Sequence, residues 1–288
     1  MPAVTEAQAK TASGTRQRVL RSLLSARTLG DDLLAAGPAT LRLSGVLRQH
    51  APHARLEPYR WTDRQPVLLV HGYGGTDAVW DPLVRGLHSA GFGHVVRLSY
   101  NPFLAEVSEL VAEIAEQVAA AIRDTGADGV HLVGHSLGGL LLRCAVCSGP
   151  RPLPATTVVT ISSPHSGLTL ARLAPGRCAG LMHRRSPLPQ PRAGASPRWV
   201  AYYSDGDRVV RPSSARLTDP AFAATNVLVP GRGHLTICRD PRLVAGVVSQ
   251  LVRSEQREVD DAAWRSRPAP RHRLSTVRPG TAAAPAAS

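Results

Sequence analysis

Lysine is almost missing from this chain: Lys10 stands alone among 34 basic side chains, and arginine supplies the rest. Such one-sided arginine use is the mark of a G+C-rich coding bias, so the formal charge of +13 does not by itself argue for nucleic acid. The charge is also unevenly placed. Residues 65–170 hold more acids than bases, while the excess arginine collects at both ends and between Arg172 and Arg216. Solvated arginine on peripheral segments is the reading favoured here. No nucleic-acid partner is expected, and peripheral contact with an anionic lipid surface is the partner such arginines would serve.

Long apolar runs are lacking too. No stretch of 18 or more apolar residues occurs, and "MPAVTEAQAK" has no basic segment followed by an unbroken apolar one. Neither a spanning helix nor a secretory leader is read from these signals, and the expected location is cytoplasmic, peripheral to membrane at most. Cysteine is sparse: Cys144 and Cys147 lack the second pair that a zinc ribbon needs. All four cysteines read as small buried hydrophobes, with a Cys178–Cys238 disulfide as the alternative. Without a His/Asp/Glu cluster at ligand spacing, no metal and no cofactor are expected. Oligomeric state leaves no signal in the sequence.

What is present is a rhythm. Residues 1–64 carry leucines at helical spacing (Leu20, Leu23, Leu24, Leu33, Leu34), broken by Gly30 and Gly37-Pro38, and read as a helical extension. From residue 65 short apolar, β-branched runs take over: "PVLLVHG", "HVVRLSY", "GVHLVGHS", "TTVVTISS", "RWVAYYSD" and "ATNVLVPG". Runs without in-out alternation belong to strands covered on both faces, hence to a parallel sheet. Between two of them, Leu104, Val107, Leu110, Val111, Ile114 and Val118 share one helical face, with Gly126 as the stop. The expected architecture is α/β, a mostly parallel central sheet with helices on both faces, over residues 65–258. A closing helix is read over 240–258 and a disordered tail over 259–288. Residues 165–197 interrupt the rhythm with proline, glycine and arginine, and such a long excursion reads as a functional loop or a disordered one.

The stretch "HLVGHSLGG" places Ser136 between Gly134 and Gly138, after a predicted strand and before a predicted helix. A tight strand-to-helix turn lifts a serine hydroxyl above the sheet, and the elbow glycines leave room for it. A serine hydroxyl is a weak nucleophile at its own pKa and needs a base oriented by a third group. The loop after "RWVAYYS" offers Asp207, with Asp205 as competitor, and the loop after "TNVLV" offers His234 between glycine-rich neighbours. Both follow the carboxyl ends of predicted strands. Tail His272 has no scaffold to hold it. Backbone N–H groups of Leu137 and Tyr73 are the candidates for an oxyanion hole, Tyr73 lying in "HGYGG". No Lys-Ser/Thr follows that loop, which argues against a phosphate cradle. His71 and His135 read as loop braces, His131 as a core histidine and His165 as a loop brace.

In this order, "HGYGG", "GHSLGG", "SSPHSG", "SDGDRVV" and "GRGHL" resemble the bacterial triacylglycerol lipase and esterase families of the α/β-hydrolase superfamily. The resemblance spans roughly residues 65–250; "SSPH" departs from the more usual threonine-proline-histidine, and residues 1–64 match no motif of it. It implies hydrolysis of a small-molecule acyl ester through an acyl-enzyme, and on that expectation the 165–197 insert would form a lid or part of the acyl pocket. Ser136 would be nucleophile, His234 base and then acid, and Asp207 the group that orients the imidazole. Two alternatives share these residues or this fold: acyl transfer to an alcohol or thiol, and a non-catalytic binding protein.

Overall fold

A computed structural model describes residues 52–57, 62–149, 151–168, 171, 174–191 and 196–265, with side chains to residue 260. The six apolar runs each form a strand: β2 Val67–Val70, β3 Val95–Ser99, β4 Val130–His135, β5 Ala155–Ile161, β6 Arg198–Tyr203 and β7 Thr225–Leu228. A further strand, β1 His53–Leu56, lies upstream of the residue 65 boundary read from the sequence. It pairs antiparallel with β3 at one edge of a seven-stranded sheet ordered β1-β3-β2-β4-β5-β6-β7, in which all other pairs are parallel. The helices expected before residue 52, the tail beyond 265 and His272 lie outside the described residues.

The helices are α1 Asp81–Ser89, α2 Val107–Thr125, α3 Leu137–Ser148, the single turn α4 Pro212–Ala215 and α5 Pro241–Arg265. Alternation along β2 divides the core in two. Leu68 and Val70 face Leu110 and Ile114 of α2 and Leu140 and Leu141 of α3. Val67 and Leu69 face Leu83 and Leu87 of α1 and Val247 and Leu251 of α5. The sheet is therefore sandwiched, as continuous apolar runs require.

The α2 boundaries have local causes. Glu106 and Glu109 form a reciprocal capping box at its start, and Gly126, at φ 70°, takes the left-handed conformation at its end. Leu104 departs from the sequence reading: it precedes the helix and is exposed, whereas Ala121 joins the buried face. Helix α5 runs to Arg265, past the expected end at 258. All four cysteines are free and buried, so the Cys178–Cys238 disulfide is not formed.

Strand order reverses at β2, which has β3 on one side and β4 on the other. The crevice beyond the carboxyl ends of β2 and β4 is thus a topological switch point, where open α/β sheets bind ligands. The loop carrying Tyr73 and the turn carrying Ser136 flank it.

Candidate active site

Ser136 follows the last residue of β4 and caps α3 with φ 53° and ψ −119°, a conformation that a non-glycine residue adopts only under strain. Such strain costs about 1–3 kcal/mol and persists where packing enforces it. The enforcement is visible at Gly138. A Cβ there would lie 2.1 Å from the Val70 carbonyl oxygen and 2.5 Å from that of His71, so the first turn of α3 presses directly on the end of β2. A Cβ on Gly134 would lie 2.5 Å from the Gly139 backbone nitrogen.

Three chain-distant side chains converge on this turn. The Ser136 hydroxyl lies 3.0 Å from His234 Nε2, and His234 Nδ1 lies 2.8 Å from Asp207 Oδ2. The second Asp207 oxygen accepts the N–H groups of Val209 at 2.9 Å and Val210 at 2.8 Å. All three residues are buried. Burial alone would raise the Asp207 pKa, but the charge and hydrogen bond of His234 and the Val210 N–H outweigh it and hold the carboxyl below its ordinary value. An ionised Asp207 fixes the Nδ1–H tautomer, so that Nε2 faces the Ser136 hydroxyl as an acceptor.

Asp205, the competitor, does a different job: its Oδ1 accepts the Gly231 N–H at 2.7 Å. Ser204 Oγ accepts the Arg232 N–H at 2.9 Å. These two bonds tie the histidine loop to the acid loop. Arg232 and Arg242 both pair with the buried carboxylate of Asp240, which anchors the far side of the same loop. Sequence reasoning missed this clamp, because its members are unremarkable until β6, β7 and the start of α5 are brought together.

The loop carrying Tyr73 has its own brace. His71 Nδ1–H donates to the Gly72 carbonyl at 2.8 Å, its Nε2 accepts the Tyr100 N–H at 3.3 Å, and its ring stacks on Tyr100 at 4.3 Å. The Gly72 carbonyl also accepts the Gly75 N–H at 3.1 Å. A Cβ on Gly72 would stand 3.0 Å from Ser136 Cβ, so this loop lies against the nucleophilic turn. Among the described residues, the N–H groups of Tyr73 and Leu137 donate to no protein acceptor. The Tyr73 phenol donates to the Pro175 carbonyl, and Arg177 pairs with Glu106 at 2.6 Å, fastening the 165–197 excursion over the loop after β3.

His135 donates from Nε2 to the His234 carbonyl at 3.0 Å, and His165 contacts Thr160 Oγ1 at 3.0 Å. His131 lies 3.3 Å from Glu255 in the core, as a core histidine should. Burial pushes His71 down to about 4, and burial first, with His234 and Arg143 respectively adding to it, pushes His135 and His165 down to about 3. In the unfolded chain each titrates near 6.5. Below about pH 6.5 the unfolded state therefore binds protons that the fold refuses, and stability must fall as pH falls. At about 1.4 kcal/mol per pKa unit, the three together remove on the order of several kcal/mol by about pH 4.5. Thermal unfolding should show a Tm steady above about pH 7 and dropping steeply below about pH 6; a Tm flat across this window would contradict neutral, buried imidazoles.

No group of three or more His, Cys, Asp or Glu able to hold a metal is found among the described residues, and none of their helices is long and apolar enough to cross a membrane. A mostly parallel sheet with a strained serine at a strand-to-helix turn, and an acid and a histidine on later loops, defines an α/β-hydrolase. Solved structures agree on the fold: the mature Bacillus licheniformis lipase BlEst2 superposes with a TM-score of 0.54 at 17% identity, covering 71% of this chain and 98% of that one. Residues 66–213 match the family palmitoyl protein thioesterase, and the chain belongs to that family. It is 32% identical over 168 residues to a triacylglycerol lipase of Burkholderia plantarii, covering 54% of this chain and 44% of the lipase. A pimeloyl-[acyl-carrier protein] methyl ester esterase of Aeromonas hydrophila is 36% identical over 100 residues, 34% of this chain and 37% of the esterase. The chain thus spans less than half the length of these relatives.

Proposed function

We propose that this chain hydrolyses carboxylic esters of lipid-like acyl groups through a covalent acyl-enzyme. The observation that carries the reading is the unbroken relay from Ser136 through His234 to Asp207, at 3.0 and 2.8 Å, on a serine held at φ 53°. His234 Nε2 takes the hydroxyl proton as Ser136 Oγ attacks the acyl carbonyl. The resulting oxyanion meets the N–H groups of Tyr73 and Leu137. As the ester C–O bond breaks, His234 returns its proton to the leaving oxygen. Water then attacks the acyl carbon as His234 Nε2 takes one of its protons, the bond from that carbon to Ser136 Oγ breaks, and the imidazole returns the proton to Oγ as the carboxylic acid leaves. Relatives named as lipase and esterase support ester cleavage.

The family match favours a second reading for the leaving group, a thiolate in place of an alkoxide. The relay serves both, since in each case Ser136 Oγ adds to the acyl carbon and its carbonyl oxygen takes up the negative charge. The excursion over residues 165–197 is proposed to shape the acyl site, through its attachment to Tyr73. Four free thiols suit a reducing cytoplasm, with contact at an anionic lipid surface as part of this proposal. Turnover of p-nitrophenyl esters and acyl thioesters of graded chain length tests the reading. Wild type should hydrolyse at least one series and Ser136→Ala neither; a folded wild type inert toward both, or equal rates in the variant, would reject it.

A further inference from the structure

Arg143 is out of place by composition and by environment. It is the one charged residue in the apolar stretch "LLLRCAVC" of α3 and is almost fully buried, 4% exposed. A buried guanidinium is costly unless a carboxylate or hydrogen-bond acceptors surround it. Here Nε–H donates to the Pro189 carbonyl at 2.8 Å, and the guanidinium carbon sits 4.5 Å from the centre of the Phe222 ring. Arg143 makes no ion pair among the described residues, and its two Nη groups, four further N–H donors, have no protein acceptor there. The side chain is held in place, with its fork unused.

That side chain lines a cavity of about 260 Å³ between α3, the 165–190 excursion and the segment before β7. Arg184 and Arg216 line it as well, together with His165 and His183. The acid on its wall is Asp219, whose Oδ1 already accepts the Ala221 N–H at 3.0 Å. Three guanidinium groups against one carboxylate leave the cavity an excess of positive charge. Its size is below the roughly 300–1,000 Å³ of sites that enclose drug-sized ligands. The space therefore suits one small group. A planar guanidinium with both Nη groups unspent matches the paired oxygens of phosphate or carboxylate.

We propose that this cavity is a binding site for a single oxyanion, a phosphate or carboxylate group, with Arg143 as the fixed donor and Arg184 and Arg216 as the charges at its mouth. Arg143 follows Ser136 by seven residues, two turns of α3 or about 10 Å along the helix. The oxyanion is thus within reach of being part of an ester or thioester substrate, or it is a free anion that binds beside the site. Both sources share one chemistry.

Calorimetric titration of the full chain with inorganic phosphate, in a low-salt buffer, is the test. Wild type should show saturable one-site binding, and Arg143→Met, which keeps the apolar stem, should weaken it at least about tenfold. Should that variant fold poorly, the exposed double variant Arg184→Gln/Arg216→Gln should still lose several-fold in affinity, and more at low than at high salt. No saturable binding to wild type, or binding unchanged in the folded variants, would overturn the proposal. Binding is read without turnover, so its failure is separable from failure of the hydrolase reading. Where phosphate competes with ester, the site serves an anionic part of the substrate; where KM is unaffected while phosphate binds, it serves a free oxyanion.

Discussion

Asp207→Asn should lower kcat by about 10⁴-fold while leaving the fold intact, and Asp205→Asn should change it only a few-fold. The first result follows from which oxygen does what. Oδ1 of Asp207 accepts two N–H groups, from Val209 and Val210. In the asparagine variant the carbonyl oxygen must take that place, because an amide nitrogen there would face two donors. The NH2 group then points at His234 Nδ1 in place of Oδ2, which now accepts from His234 at 2.8 Å. A donor at that position forces Nδ1 to accept and moves the ring proton to Nε2. Nε2–H faces the Ser136 hydroxyl and cannot take its proton. Asp205 accepts only the Gly231 N–H, a role an asparagine oxygen fills as well. Steady-state kinetics on both variants, with circular dichroism to confirm folding, decides the assignment. Equal losses in the two would mean that the loops, and not the tautomer, set the rate.

Gly138→Ala should destabilise the protein by more than about 4 kcal/mol or prevent folding, the range reached when a core collision cannot relax. The added methyl would lie 2.1 Å from one backbone carbonyl oxygen and 2.5 Å from the next. Neither can rotate away easily, since Val70 ends a central strand paired on both sides and the His71 carbonyl that follows it accepts the Tyr100 hydroxyl at 2.8 Å. Relief requires α3 to lift off β2, which carries Ser136 with it. The variant is therefore expected to lose activity in proportion greater than its loss of fold, and denaturant unfolding beside kcat/KM measures both. A variant with wild-type stability would show that the elbow is not pressed on β2.

The contacts behind these two effects differ in how far the sequence reveals them. Strands β2 to β6 announce themselves because covering a strand on both faces demands an unbroken apolar run, and edge strand β7, though Thr225 and Leu228 are exposed, does so through "TNVLV". Strand β1 does not, since its four residues lie at an edge, mostly exposed, with Arg55 facing water and Leu56 48% exposed. Its bracketing prolines, Pro52 and Pro58, were the remaining signal. Ser136, Asp207 and His234 were legible because each follows a strand end, so one edge of the sheet must gather them. The preference for Asp207 over Asp205 had its physical basis in hydrogen bonds to Val209 and Val210, which anchor the carboxylate from its own loop. The ties from Asp205 and Ser204 to the histidine loop, and the Asp240 clamp, join residues that only the folded sheet makes neighbours. Arg143 lay in plain view within an apolar helix, but the absence of an acidic partner is a property of the packed excursion and not of local sequence.

The central claim is that Ser136 is an activated nucleophile. Incubating the folded protein with a fluorophosphonate and mapping the adduct by mass spectrometry tests it without any assumption about substrate. A single adduct on Ser136 in wild type, and none in Ser136→Ala, is the expected result. A folded wild type that takes up no label, or a variant labelled as fully as wild type at another residue, would contradict it.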